Sequence, residues 1–382
     1  MKILYYSTAY YASHGGSIQS IEFYNSLGKL EAVKELSIYP QKSPVINQTE
    51  IPTSNLRKFL KRIPLLQIFF FFRKNKMYLE GLKKFIIEFR PDAIVMQIDS
   101  NFLQIKSIKS QFPELLVTTQ VNASPFDEPF KNIAFKDYFL KKQREAYVCA
   151  DFNFFISQFL KERIMGQLLN GERDKVVHNG TDIEKFKPLN NKMELRQKFD
   201  YPLDPFLIGY IGTLDFHKKM DMLIDSMGGL KDKNIKLVII GDGPALQTLK
   251  SRVQKMNLEE KIIFKGWINH KLMNEHLNSF DLAIHHHAME YMSPLKIFEY
   301  LSSGLPVIAP NIPAVREILK DKEDVILTEP TIVSITKNIL YMYENENQRK
   351  VLSKNGVEKI RERYTWMNYT KDIVYTIKSN IK

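Results

Sequence analysis

The stretch Glu290-Tyr-Met-Ser-Pro-Leu-Lys-Ile-Phe-Glu299 continues through Tyr300-Leu-Ser-Ser-Gly304 into Leu305-Pro-Val-Ile-Ala309. It marks both ends of a helix. Ser293 reads as the N-cap and Pro294 as N1, where a missing N–H costs nothing. Gly304 supplies a left-handed stop, and the apolar run after it reads as a buried strand. Lys296 then falls in the first turn, where the helix dipole disfavours a cation. An anion between the ammonium and the free N–H groups reverses that sign. Glu299, three residues on, shares the face of Lys296 and suits hydroxyl groups as hydrogen-bond donors. A phosphate beside a polyol is the outline of a nucleotide sugar. The competing reading is an ordinary capped helix with an exposed Lys–Glu pair of little energetic weight.

The rest of the chain gives this helix its setting. At 382 residues there is room for two domains, and 44% hydrophobic with 12% aromatic residues describes a globular core. No apolar run reaches the length of a spanning helix. Met1-Lys-Ile-Leu-Tyr-Tyr reads as a strand and not as a signal peptide. A single cysteine, Cys149, excludes an intrachain disulfide and suits a cytoplasmic setting. The net charge of +12 asks for an anionic partner: nucleic acid, anionic lipid or a phosphorylated substrate. No nucleic-acid motif is present. Residues 56–76 carry seven cations, no acid and the block Ile68–Phe72, a mixture that suits either an anionic membrane surface or helix packing in a core.

Strand and helix patterns alternate along both halves. In the first, strands are expected at Lys2–Thr8, Asp92–Ile98, Leu115–Val121 and Phe152–Ile156, with Gly15-Gly16 in a loop before a helix from about Ser17. Paired glycines there let backbone N–H groups approach an anion. The polar, proline-containing stretch from Thr181 to Pro205 reads as the domain boundary. In the second half, strands end at Ile211, Ile240, Phe264 and His286, and Pro244 reads as N1 of a helix. This alternation predicts parallel sheets covered on both faces, an α/β class of two doubly wound domains. Lys218, Gly241, Gly266 and Glu290 to Glu299 all follow C-terminal strand ends, the edge where such sheets bind ligands. No G-x-G-x-x-G, G-x-S-x-G or suitably placed Asp-x-Asp occurs, and no metal site is expected. His285-His286-His287, if on a strand, would point to alternate faces and could not converge on an ion.

Those residues resemble glycosyltransferase family 4, in its Ser-Pro-x-Lys branch. Tyr291 to Pro310 is similar to the family's donor motif, Val177 to Pro188 to its crossover, and Gly212 to Lys218 to its "G-R-L-x-x-x-K-G" loop. Val238 to Pro244 and Ile263 to Trp267 complete the series. The resemblance implies the GT-B fold: Rossmann-like domains at 1–185 and 186–365 facing a cleft, with 366–382 returning to the first as a helix. It implies a retaining, metal-independent transfer of sugar from a UDP- or GDP-linked donor, without cofactor, to a glycan or lipid-linked acceptor in surface polysaccharide or glycolipid synthesis. Lys218 and Lys296 would then carry the departing diphosphate with the Gly15 and Gly16 amides and those of Ser293, Pro294's neighbour Leu295 and Lys296. Glu299 would hold the ribose, Gly266 and Trp267 the base, and Gly241 the loop beside them. Three positions depart from the pattern. Thr213, in the donor site, stands where the family has arginine; Glu290, one residue off the expected glutamate, would reach the donor sugar's hydroxyls; and Asn122, near the expected acceptor-side histidine, would stand as the acceptor-side catalytic partner. A nucleotide-sugar epimerase on the same fold and a non-catalytic basic membrane-surface protein are the alternatives.

Overall fold

The computed structural model describes residues 1–11, 15–41, 63–127 and 130–381. Two compact units form: Met1–Asn179 with Trp366–Lys382, and Gly180–Thr365.

The first unit is built on β1 (Lys2–Tyr6), β2 (Glu35–Tyr39), β3 (Ala93–Ile98), β4 (Leu116–Val121), β5 (Phe152–Phe155) and β6 (Asp174–Val176). They pair in the order β2-β1-β3-β4-β5-β6, all parallel. Every residue of β3 is buried, as expected for a strand covered on both faces. Helix α1 (Gly15–Leu27) follows β1, α2 (Pro64–Lys76) precedes β3, and α3 (Lys136–Val148) lies between β4 and β5.

The second unit carries β7 (Phe206–Ile211), β8 (Ile235–Ile240), β9 (Ile262–Gly266), β10 (Leu282–Ile284), β11 (Val307–Pro310) and β12 (Ile326–Thr328). Their order is β12-β11-β10-β7-β8-β9, again all parallel. Strand order reverses between β7 and β10, and between β1 and β3 in the first sheet. Such switch points open a crevice at the carboxyl ends of the strands. Helix α4 (Leu295–Ser302) connects β10 to β11, so its N-terminus lies beside the second crevice. Helix α5 (Trp366–Lys378) belongs to the first unit, where Tyr369 meets Phe23 of α1 edge to face at 5.7 Å.

Several boundaries differ from the sequence reading. The units meet at Asn179/Gly180 rather than at residue 185. The polar stretch after Thr181 is built into the second unit, because Phe186 enters its core and the buried Arg196 donates to the Ser279 and Pro205 carbonyls. Gly15 and Gly16 are the first residues of α1, not part of the loop before it. Helix α4 starts one residue late: Pro294 is extended (ψ 113°) and serves as the cap residue, which moves Lys296 to the second helical position. Pro244 likewise lies in a turn, two residues before the helix Leu246–Lys255. The three histidines follow β10 instead of lying on it. Residues 56–62 of the basic segment lie outside the described residues.

Candidate functional site

Helix α4 is seated by its buried face. Ile297, Phe298, Tyr300 and Leu301 enter the core, and the Tyr300 hydroxyl both accepts from Ile211 N (2.9 Å) and donates to Ile211 O (3.3 Å) at the end of β7. This ties the helix to the strand that borders the crevice. It brings the Lys296 ammonium directly over Gly212, where a β-carbon would strike it. The same ammonium lies 5.9 Å from the Tyr210 ring centroid. We therefore expect Tyr300→Phe to leave two buried backbone groups unpaired, at a cost of about 1–3 kcal/mol by denaturant titration. An unchanged midpoint would contradict this anchoring role.

Lys218 comes from the other wall of the crevice, the turn Phe216–Lys218 after β7, whose last amide donates to Asp215 O at 3.0 Å. Burial pulls the Lys296 pKa down to about 8, and the Lys218 charge pulls the same way, against partial relief from Glu299 and Asp215. Burial also lowers Lys218, with Asp215 opposing. Two desolvated ammonium groups thus repel each other at one sheet edge, an arrangement that an anion would relieve. Behind them His285 is buried and stacked parallel to Tyr210 (6.2 Å between centroids). Burial and then the Lys296 charge hold its pKa well below the usual range. His286, bonded through Nε2 to Lys219 O (2.9 Å), is pushed by burial down to about 4. The positive charge here is therefore that of the lysines. A cavity of about 300 Å³ opens beside Lys218 and His287.

Glu299 is buried with a carboxylate oxygen 3.6 Å from His270 Nε2. The sequence carries no signal at His270, and His285 draws notice only within the histidine run set aside as a metal site, with no role beside Lys296. Trp267 projects into solvent, 75% exposed, directly after Gly266 at the end of β9. Thr213 and Glu290 are exposed, Ser293 is buried, and Pro294 and Leu295 are half-buried. Gly241 has a structural reason to be glycine. Its φ is +139°, a β-carbon would collide with Gly212 O, and its N–H donates to Gly266 O at 2.8 Å. It locks three loops of the crevice together, so its identity is explained without a ligand.

In the first unit, Gly16 and Asn122 line a cavity of about 290 Å³ with Thr8, Gln97, Asp99 and Ser124, at the β1/β3 switch point. The Asn122 amide exchanges two hydrogen bonds with Gln19, which also reaches Asn179 Oδ1 (3.0 Å) and the Tyr369 hydroxyl (3.3 Å). Nothing in the sequence marked Gln19. Among the described residues no group of three or more His, Cys, Asp or Glu side chains could hold a metal ion, and no helix is long and apolar enough to cross a membrane.

Residues 191–359 match the family model for glycosyl transferases group 1. An uncharacterized glycosyltransferase of Methanocaldococcus jannaschii is 24% identical over 230 residues, 58% of this chain and 58% of that protein. The UDP-Gal:alpha-D-GlcNAc-diphosphoundecaprenol alpha-1,3-galactosyltransferase of Escherichia coli is 30% identical over 191 residues, 48% of this chain and 49% of that one. The matches thus span about half the length of these curated relatives. Among solved structures, Anabaena HepE in complex with UDP superposes with a TM-score of 0.74 at 17% identity, covering 99% of this chain and 100% of its own. At that identity the shared property is the GT-B fold, two parallel six-stranded sheets with flanking helices.

Proposed function

We propose that this chain, of GT-B fold and with residues 191–359 similar to the glycosyl transferases group 1 model, transfers a sugar, with retention, from a UDP- or GDP-linked donor. The observation that carries this is the pairing of Lys218 and Lys296 over a desolvated crevice with the Glu299 carboxylate on the same helix. The two ammonium groups stabilise charge developing on the leaving diphosphate, and Glu299 accepts from the ribose hydroxyls. Trp267 offers a ring face to the base. The first unit's cavity around Asn122, lined by amides and hydroxyls, takes a glycan or lipid-linked acceptor. The setting we propose is the cytoplasmic face of a membrane, in surface polysaccharide or glycolipid synthesis. Incubation with a panel of UDP- and GDP-sugars tests the reading. Release of nucleoside diphosphate supports it, an isomerised nucleotide sugar replaces it with epimerisation, and an inert panel overturns it.

Two further results are expected. With two lysines supplying the positive charge, transfer persists in excess EDTA; abolition by EDTA and restoration by Mg²⁺ would overturn metal independence. The second concerns pH. A diphosphate favours the protonated form of Lys296, whose pKa in the free protein is about 8. Donor affinity should hold below pH 8 and fall as pH rises through it, by up to about tenfold per unit, because each further unit deprotonates the free site. Calorimetric titration of the donor between pH 7 and 9 reads this slope, and an affinity flat across that range would exclude Lys296 as the titrating contact.

A further inference from the structure

The described part of the basic segment does two things at once. Along α2, Gln67, Phe71 and Asn75 form the buried stripe. Leu65, Phe69 and Phe72 follow a different stripe, 64%, 59% and 42% exposed, with the exposed Lys76 continuing it. Apolar side chains at i, i+4 and i+7 on a solvent face are not explained by the core. A second element extends the same surface. The Ala134 amide donates to Pro64 O (3.2 Å), fixing the turn before α3 against the start of α2. The Phe139 ring of α3 contacts both Phe72 of α2 (5.9 Å) and its neighbour Tyr138 (5.4 Å), which ties the two helices together beside these exposed rings. Phe135 caps α3 in the left-handed region (φ +57°), a costly conformation for a bulky residue, and holds its ring 71% exposed.

We infer that Leu65, Phe69 and Phe72 of α2 with Phe135 and Tyr138 of α3 form a membrane-docking surface whose occupant is an anionic lipid bilayer. Charge decides for lipid over another apolar partner. Arg73 and Lys76 at the end of α2 and Lys141 one turn beyond Tyr138 are exposed around the apolar patch. Among the described residues the acids nearby are largely answered: Asp99 pairs with Lys74, Asp127 with Arg163, and Glu145 with Lys142 at 2.8 Å, while Asp137 is exposed. Rings entering the acyl boundary with cations at headgroup level are the pattern of an interfacial anchor. The surface deepens the proposed membrane setting, yet it can be tested without any transfer reaction.

The experiment is co-sedimentation of the full chain with phosphatidylglycerol–phosphatidylcholine vesicles at low salt, with pure phosphatidylcholine vesicles as comparison. Wild-type protein should pellet with the anionic vesicles, less as salt rises. Each of Phe69→Ser and Phe135→Ser should weaken binding on the order of tenfold, and Lys141→Gln about fivefold. Tyr375→Ser, which removes an exposed ring from α5, should change nothing. Wild-type protein in the supernatant, or both Phe variants pelleting like wild type, would overturn the surface. So would a concentration-dependent dimer that Phe135→Ser dissolves, since the occupant would then be a second copy. Donor titration separates the readings: a chain that binds vesicles but no nucleotide sugar fails as a transferase while keeping its membrane surface.

Discussion

Lys296→Ala, and separately Lys218→Ala, should each lower turnover by roughly 10²–10³, the loss of about 2–4 kcal/mol of transition-state stabilisation from one charge-assisted contact. Neither residue supports the fold. Lys296 crosses a crevice over Gly212, and Lys218 ends a short turn. The stability effect of the first substitution even has the opposite sign. Burial depresses the Lys296 pKa to about 8, so below that pH the folded state carries a desolvated ammonium that the unfolded chain hydrates freely. This penalty fades as pH rises from about 8 through the unfolded value. Lys296→Ala should therefore be neutral or stabilising at pH 7 while losing activity. Lys296→Arg keeps the charge but not the fit, because the ammonium already fills the space above Gly212. Near wild-type kinetics in either alanine variant would remove that lysine from the reaction. An activity loss accompanied by a lower unfolding midpoint would point to structure instead of chemistry.

The legible parts of this molecule were those with strong local signals. Long apolar strands bounded by glycine, such as Phe206–Ile211 and Ile235–Ile240, announce a parallel sheet, and Gly304 with its φ of +80° stops α4 where a glycine must. Lys296 stood out because a first-turn cation breaks a rule that an anion would repair. Three of the four edge strands were missed; only Ile262–Gly266 was legible. Asp174–Val176 and Ile326–Thr328 are three residues each, and Glu35–Tyr39 begins with a charge, so none carries a periodic signal of its own. The start of α4 shifted because a serine–proline pair is compatible with either register, and tertiary seating through Tyr300 chose between them. Although the histidine run that includes His285 is weighed, and set aside, as a metal site, His270, His285 and Gln19 had no legible role for a common reason. Their partners, Glu299, Lys296 and Asn122, are 29, 11 and 103 positions away, and only the fold brings each pair together.

The segment around Ile68–Phe72 illustrates a composition that two explanations shared, and a substitution pair separates their contributions. Phe71→Ala should destabilise the first unit by about 3–5 kcal/mol, the usual cost of removing a large core ring and leaving its cavity. Phe71 is fully buried, and its ring centroid lies 5.1–5.9 Å from those of Phe72, Phe102, Phe126, Phe130 and Phe139. Those rings come from four separate stretches of chain and cannot close on the vacancy without moving the backbone that carries them, so collapse recovers little. Two positions back along α2, Phe69 is 59% exposed, and Phe69→Ala should shift stability by no more than about 0.5 kcal/mol. The measurement is the denaturant midpoint of each variant followed by circular dichroism, with the slope used to confirm that the same unit unfolds. A large loss at Phe71 with none at Phe69 assigns one ring to the core and leaves the other for the surface. Comparable losses at both would mean that the outer face of α2 is covered in the folded chain, and the docking surface would lose the residue at its centre.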